Sequence, residues 1–382
     1  MRRTIFREDH EKFRWLIREF LEREIVPVHR SWEEAGRPPR CIFRMLGDLG
    51  VMGINMPAEW GGAGLDDYVY NVVLQEETAR LGITIGSLRT HLDVVLPYFR
   101  RHASPEQQAR WFPGLSAGKL MSSIAMTEPD TGSDLAGVRT SAVLDGDHYV
   151  LNGSKTYITG GEVADLIIVL CRTATSDTDR RDGLTLLVVE DGMPGFAKGA
   201  KLQKIGLRTQ DTIELFFGDV HVPVANVLGE PGKAFRYLSE GLPQERVAIA
   251  VGAVAQSRAA FELTVDHVKN RRMFGTSLNS FQNTKFELSA VATDLEAAQA
   301  LLDTGIIELT VGQLDPADAA KIKLFCTEVQ GRIIDRCLQL FGGFGYITES
   351  PIARLYMDAR VSRIYGGSSE VMKLIISKSI GL

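Results

Sequence analysis

Residues 141–160 read SAVLDGDHYVLNGSKTYITG. Two dipeptides, Asp145-Gly146 and Asn152-Gly153, separate short runs in which apolar and polar residues alternate. Both are pairs that accept the left-handed backbone of a tight hairpin. Alternation with period two sends successive side chains to opposite faces of a strand, so this stretch predicts hairpins. ADLIIVL (164–170), LTLLVVE (184–190) and IELFFGDVHVP (213–223) continue the strand pattern, each bounded by Gly, Pro or Asp. Residues 121–228 therefore predict a small β domain, and the fold turns on what flanks it.

On both sides the pattern is helical. From Phe6 to about Leu120 apolar residues recur at three-and-four spacing, as in Phe13, Leu16, Ile17, Phe20, Leu21 and Ile25, which predicts one packed helix face. Ser104-Pro105-Glu106-Gln107 supplies a helix start, with serine as cap and proline at the first helical position. Downstream, helices are expected over 234–268, 281–312 and 316–340, the last opened by Asp315-Pro316. The expectation is an α+β chain of three domains: a helical one at 1–120, a β domain at 121–228 and a helical one at 229–382. Strand and helix do not alternate, which argues against a Rossmann arrangement.

Bulk properties remove several function classes. With 43 basic and 48 acidic residues the formal charge is −5, so there is no general basic field for nucleic acid. The four cysteines, Cys41, Cys171, Cys326 and Cys337, form no CxxC pair, and neither a zinc site nor a disulfide framework is expected. The N-terminal MRRTIFREDHEKFRWLIREFL is amphipathic and lacks the apolar core of a signal peptide. No apolar run reaches the roughly 18 residues a bilayer span requires. The expectation is a soluble protein of the cytoplasm.

Four clusters carry chemistry. Ile124 to Asp134, IAMTEPDTGSD, is a polar loop between the first two domains, able to present hydroxyls and backbone N–H groups. In NGSKTYITGG, Tyr157 and Thr159 are two apart and share a strand face, where they can cover and hydrogen-bond a flat ring. NRRMFGTSLNSFQ (270–282) offers paired arginines, whose forks suit phosphate. QLFGGFGYITESPIARLYMDARVSRIYGGSSEVMK (339–373) has a glycine density that suggests close backbone approach to a ligand. Each alone also reads as ordinary structure: a solvated linker, strand residues, an interhelix turn.

Together, and in this order, TEPxxGSD, KxYIT, RxxFG followed by FQ, and QxFGGxGY resemble the acyl-CoA dehydrogenase flavoenzyme family. The resemblance runs from the N-terminal helices to the final EVMKLIISKSI. It implies an N-terminal helical domain, a middle β-barrel and a C-terminal four-helix domain, assembled as a homotetramer with FAD between domains and across a subunit interface. It implies that Ile124, Ala125, Met126, Thr127, Gly132 and Ser133 line the flavin, with Tyr157, Ile158 and Thr159 along its ring. Arg271, Phe274 and Gln282, with Gln339, Leu340, Phe341, Gly342 and Gly343, would serve the pyrophosphate and adenosine of a cofactor shared with a neighbour, and Ser368 and Glu370 would contact that cofactor near the last loop. The implied partners are acyl-CoA and an electron-transfer flavoprotein.

The implied reaction is α,β-dehydrogenation of an acyl thioester, in which a carboxylate removes the α proton while the β hydrogen leaves as hydride. Many family members carry that carboxylate in Tyr-Glu-Gly; here the text is Tyr365-Gly366-Gly367. A branch that includes the long-chain and isovaleryl enzymes also has glycine there and places its base before an arginine, which maps to Glu245-Arg246 in LPQER. Glu245 is then expected in the first turn of a helix, favoured by free N–H groups and the positive dipole end. Simple helix capping is its bland alternative. Leu242, Glu245, Arg246, Ser133, Gly366 and Gly367 would meet substrate. The Gly366 N–H would bind the thioester carbonyl, and the missing side chain is compatible with a wider or differently oriented acyl channel. Glu370 reads as cofactor-side or structural, with the role of base as its rival reading. Arg89 and Asp93 are expected to face solvent or each other; if either points inward, a plain long fatty chain fits less well. Asp130 and Thr131 stand where the family loop has small residues. A carrier-protein-linked dehydrogenase or an oxidase, and a non-catalytic thioester-binding or flavin-binding relative, remain alternatives at this point.

Overall fold

The computed structural model describes residues 2–175 and 179–382. The front unit holds α1 (Glu8–Phe20), α2 (His29–Ala35), α3 (Cys41–Asp48), α4 (Val69–Arg80), α5 (Leu96–His102) and α6 (Pro105–Ser116). Glu8, Asp9 and Glu11 occupy the first turn of α1, where unpaired N–H groups favour negative charge. Its buried stripe, Ile17 and Phe20, continues through a π-helical turn, Leu21–Ile25, whose Leu21 and Ile25 are fully enclosed. Leu16 does not belong to that face. It lies about 100° around the axis from Ile17, beside exposed Trp15, and is itself 37% exposed. The start of α6 follows the sequence: Ser104 Oγ accepts from the Gln107 N–H at 3.3 Å, and Gln107 Oε1 accepts from the Ser104 N–H at 3.0 Å.

The middle unit is a seven-stranded half-barrel of β1 (Ser122–Ala125), β2 (Ser141–Asp145), β3 (His148–Thr159), β4 (Leu166–Arg172), β5 (Leu184–Glu190), β6 (Phe196–Lys201) and β7 (Thr212–Pro223). β5 and β6 stand at its two ends, and β1 lies parallel to β4. In β4, Leu166, Ile168 and Leu170 pack toward the front helices, while Ile167, Val169 and Cys171 enter a second apolar cluster with Tyr149, Leu151, Leu215 and Val220. Burial on both faces is why its text is continuously apolar. β6, FAKGAK, has no such pattern and gives no strand signal.

Asp145-Gly146 closes the β2–β3 hairpin, with Gly146 at φ +61°. Asn152-Gly153 does not turn, which corrects the second predicted hairpin. β3 runs through it, and its pairing with β7 slips between Leu151 and Gly153. The dipeptide forms a β-bulge, with Gly153 at φ +143° and its Cβ position 2.6 Å from Thr140 Oγ1. Pairing with a distant strand overrides the local turn preference.

The rear unit holds α7 (Ala234–Asn270), a short hairpin of β8 (Arg272–Met273) and β9 (Thr276–Ser277), α8 (Gln282–Thr310), α9 (Pro316–Gln339), α10 (Pro351–Ala359) and α11 (Ser369–Ser379). Asp315 caps α9 by accepting from the Ala317 N–H at 2.7 Å. α7 ties the units together. It sends Tyr237 and Leu238 into the front cluster and Val247, Val251 and Val254 into a rear cluster shared with Val72, Leu295, Leu302, Val329 and Ile333. Glu245 sits between these two anchors. No helix among the described residues is long and apolar enough to cross a membrane, and no cluster of three or more His, Cys, Asp or Glu could hold a metal.

Candidate active site

Pro243 resembles a helix start, but α7 begins at Ala234 and passes through Pro243 unbroken. Glu245 therefore lies about three turns inside the helix, and the expectation of a first-turn carboxylate is corrected: neither free N–H groups nor the dipole end reaches it. What it has instead is burial. Glu245 is 6% exposed, and its Oε1 accepts from the Tyr98 hydroxyl of α5 at 2.8 Å. Burial pushes its pKa above the ordinary carboxylate value, with Tyr98 and Arg246 opposing only in part. Capping is thus excluded as the reason for this carboxylate. Arg246 is also buried, burial lowers its pKa, and its Nε has no hydrogen-bond partner among the described residues. Leu242 is half-buried one turn earlier.

The glycine loop meets the same wall. Gly366 and Gly367 have φ +61° and +92°. A Cβ at Gly366 would collide with Cδ1 of Ile249, one turn beyond Glu245 on α7. The space a side chain would take at Gly366 is occupied by the end of the Ile249 side chain. Gly367 is held from below: the Nζ of fully buried Lys323 on α9 donates to its carbonyl at 2.7 Å, and burial lowers the Lys323 pKa to about 8. Ser368 caps α11 by accepting from the Val371 N–H. Glu370, in the first turn of α11, is exposed, and backbone N–H and Ser368 bonds hold its pKa below the ordinary range, which makes it a weaker base than Glu245.

Arg89 and Asp93 face each other, as one of the two expected options had it; Asp93 is buried, while the Arg89 side chain keeps 36% of its surface exposed. Asp93 is 3% exposed and accepts from Asn71 Nδ2 at 2.8 Å and Gln75 Nε2 at 2.7 Å. Arg89 Nε stands 3.8 Å from its Oδ2, and Arg89 Nη2 donates to the Ala248 carbonyl of α7 at 2.8 Å. Burial raises the Asp93 pKa to about 6 even so.

At the front edge of the half-barrel the polar loop and β3 are locked together. Fully buried Lys155 donates to the Met126 carbonyl at 3.0 Å and to Glu128 Oε1 at 2.8 Å. Glu128 also accepts from the Arg139 and Thr140 N–H groups. Burial disfavours its charge, yet Lys155 and these bonds bring its pKa below the ordinary value. Glu128 and Thr131 exchange two backbone hydrogen bonds, so Thr131 closes the turn from inside while Asp130 points out to Arg139. β3 leaves β7 between Lys155 and Ile158, and the Thr156 N–H donates instead to the Thr127 carbonyl at 2.9 Å. The bulge puts Tyr157 at φ +58° and leaves it 68% exposed between buried Thr156 and Ile158. Met126, Thr127 and Thr159 are half-buried, Gly132 and Ser133 exposed, and Ile124 and Ala125 buried.

The remaining predicted residues form a separate group. Arg271, Phe274 and Gln282 are exposed around the β8–β9 hairpin, Phe274 by 88% at φ +50°. Phe341 stacks on His267 at 4.0 Å and belongs to the core, leaving exposed Gln339, Gly342 and Gly343 and half-buried Leu340 around it. No hydrogen bond or ion pair among the described residues joins this hairpin to the Ile124–Ser133 loop. Sequence reading missed Tyr98, Ile249 and Lys323. Only Lys323 left a signal, a lysine on the buried face of α9 set by Ala319, Cys326 and Gln330.

Family models for the acyl-CoA dehydrogenase N-terminal, middle and C-terminal domains match residues 7–119, 123–220 and 232–381. The chain is 42% identical over 378 residues to the mitochondrial long-chain specific acyl-CoA dehydrogenase of Sus scrofa, covering 99% of this chain and 88% of that one. It is 35% identical to a short-chain specific acyl-CoA dehydrogenase of Clostridium acetobutylicum, covering 97% and 98%. Among solved structures it superposes on an acyl-CoA dehydrogenase from Geobacillus kaustophilus with a TM-score of 0.97 at 41% identity, covering all of both chains.

Proposed function

The chain belongs to the acyl-CoA dehydrogenase family of FAD-dependent oxidoreductases acting on CH–CH donors, and from that premise we propose that it converts an acyl-CoA to the trans-2-enoyl-CoA with Glu245 as the base. One observation carries this: Glu245 is a buried carboxylate of raised pKa, on the helix that also packs against the glycine loop.

The residues fit the cofactor. Tyr157 presents an exposed ring on a bulge, the Cβ positions of Gly342 and Gly343 meet nothing within 4 Å, and Arg271 is exposed without an ion pair among the described residues. The Ile124–Ser133 loop with Tyr157, Ile158 and Thr159 would hold the ring system, and Arg271, Phe274, Gln282 and Gln339–Gly343 the phosphates and adenosine. When bound, FAD supplies the acceptor for the β hydrogen.

Glu245 takes the α proton. Tyr98 occupies Oε1 and orients the carboxylate, leaving Oε2 free of that bond to take the proton. A raised pKa makes the carboxylate a stronger base once ionised. The Gly366 N–H, steadied by the Lys323–Gly367 bond, receives the thioester carbonyl as negative charge develops there. Arg246, adjacent and short of hydrogen-bond partners, favours the ionised form of Glu245.

The natural electron acceptor in this reading is an electron-transfer flavoprotein, and the setting a homotetramer in the cytoplasm. Exposed apolar side chains on the rear unit support assembly: Phe274, Phe286 at 61%, Ile307 at 49% and Val311 at 59% require cover. Anaerobic titration of the flavin with acyl-CoA tests the reaction. Wild type should bleach, and Glu245→Gln, with flavin still bound, should lose at least about 10³-fold in the reduction rate. Bleaching at the wild-type rate in Glu245→Gln would assign the base elsewhere.

A further inference from the structure

We propose that Arg89 selects the substrate, and that the acyl group this site takes ends in a carboxylate read by the Arg89 guanidinium. The inference deepens the dehydrogenase reading and rests on it. Along α7, Ala248 and Gly252 follow Glu245 by about one and two turns, roughly 5 and 10 Å further on. Arg89 lies against both. Its Nη2 donates to the Ala248 carbonyl, and a Cβ on Gly252 would stand 2.6 Å from its Nη1, so glycine there makes room for the guanidinium. On its other side lies Tyr365, the residue before Gly366, close enough for the guanidinium to act on its hydroxyl. The guanidinium thus sits between the helix of the base and the glycine loop, where an acyl chain must extend from a thioester placed at Glu245 and Gly366.

Its donors are not used up. A guanidinium has five N–H bonds, and Arg89 Nε is buried with no hydrogen-bond partner among the described residues. The carboxylate oxygens of Asp93 are taken by Asn71 and Gln75. Leu88 and Leu92 are buried on either side, while the Arg89 side chain stays 36% exposed, beside Tyr365 at 37%. An alkyl tail would strip water from these donors and return nothing, whereas a planar carboxylate matches the fork. Asp93, with a pKa raised to about 6 by burial, tolerates protonation when Arg89 turns to a ligand.

The test compares equal carbon numbers: adipyl-CoA with hexanoyl-CoA and suberyl-CoA with octanoyl-CoA, on the FAD-loaded enzyme, reading flavin bleaching and kcat/KM with an artificial acceptor. Wild type should favour the carboxylated member of at least one pair by about tenfold or more, and Arg89→Gln should lower that ratio on the order of 10²-fold. Arg89→Lys, which keeps the charge and loses the fork, should fall between, and it supplies the ratio if Arg89→Gln does not retain flavin. Wild-type turnover of hexanoyl-CoA and octanoyl-CoA equal to or better than their partners would overturn the assignment while leaving the dehydrogenase reading intact. So would an undiminished preference in flavin-bound Arg89→Gln. Absence of bleaching with every thioester would remove both readings together.

Discussion

At the scale of single residues, the chemistry of Glu245 is set by burial and by the neighbouring Tyr98 hydroxyl, which act in opposite senses. Burial raises its pKa, and the Tyr98 hydroxyl, bonded to Oε1, pulls it back by stabilising the carboxylate. Removing the hydroxyl leaves burial less opposed, so in Tyr98→Phe the pKa should rise further. Only the ionised form accepts a proton from carbon. The acid limb of kcat/KM against pH should therefore move to higher pH, by roughly one unit, with flavin content unchanged. A limb that stays put, or moves to lower pH, would mean that Glu245 does not set it. The pair Glu245-Arg246 was legible in the sequence through its motif, but its environment was not. Pro243 reads locally as a helix start, and only the packing of Ala234–Gly241 as helix against the front core makes it an interior residue. Tyr98 is equally silent in the sequence, since nothing in LPYF says that its hydroxyl will meet a carboxylate 147 positions away.

Elements explain why a loop of glycines can serve as a fixed binding surface. Two adjacent residues at positive φ have no side chains to anchor them, so the anchoring comes from α9, through Lys323, and from α7, through Ile249. Lys323→Met keeps the apolar stem and deletes the donor to the Gly367 carbonyl. The loop should loosen, and kcat/KM should drop by about 10- to 100-fold, the equivalent of roughly 1–3 kcal/mol for one buried acceptor left unpaired. Flavin should be retained and helical content preserved by circular dichroism. An unchanged kcat/KM would show that the loop holds its shape without Lys323. This anchor was half legible: the period of α9 marks position 323 as interior, yet the sequence does not say which carbonyl it reaches. β3 shows the opposite case. Asp145-Gly146 was read correctly because a hairpin turn is decided locally, while Asn152-Gly153 was misread because a bulge is decided by the partner strand β7. The second irregularity of β3, which exposes Tyr157, depends on a bond to the Thr127 carbonyl that joins two motifs the sequence shows only as separate clusters.

For the whole molecule, the three units were legible from the change of periodicity alone, while a cofactor site shared between chains was expected only through the family resemblance, since no local pattern says which cluster meets which. In the proposed reading one chain carries two half-sites that no hydrogen bond or ion pair among the described residues joins: the loop and Tyr157 edge of the half-barrel, and the Arg271–Gln282 hairpin with the Gln339–Gly343 turn. The second half-site is surrounded by side chains that a lone chain leaves in water, among them Phe274 at 88% and Tyr346 at 90% exposed. In the proposed homotetramer, symmetric assembly would cover such surfaces and bring one chain's hairpin to another chain's loop. Two variants, each damaging one half-site, separate a shared site from a private one. Gly132→Trp fills the loop cradle, where the nearest atom to its Cβ position is a Thr127 methyl at 3.9 Å, so the protein itself is not crowded. Arg271→Glu reverses a charge on an exposed residue. Expressed alone, each should purify without flavin. Expressed together with distinct tags and captured through both, the mixed assembly should recover FAD at those sites where an intact loop meets an intact hairpin, and with it part of the acyl-CoA-dependent bleaching. If each chain builds its own site, every site in the mixture carries one lesion, and the doubly captured protein should contain no flavin at all.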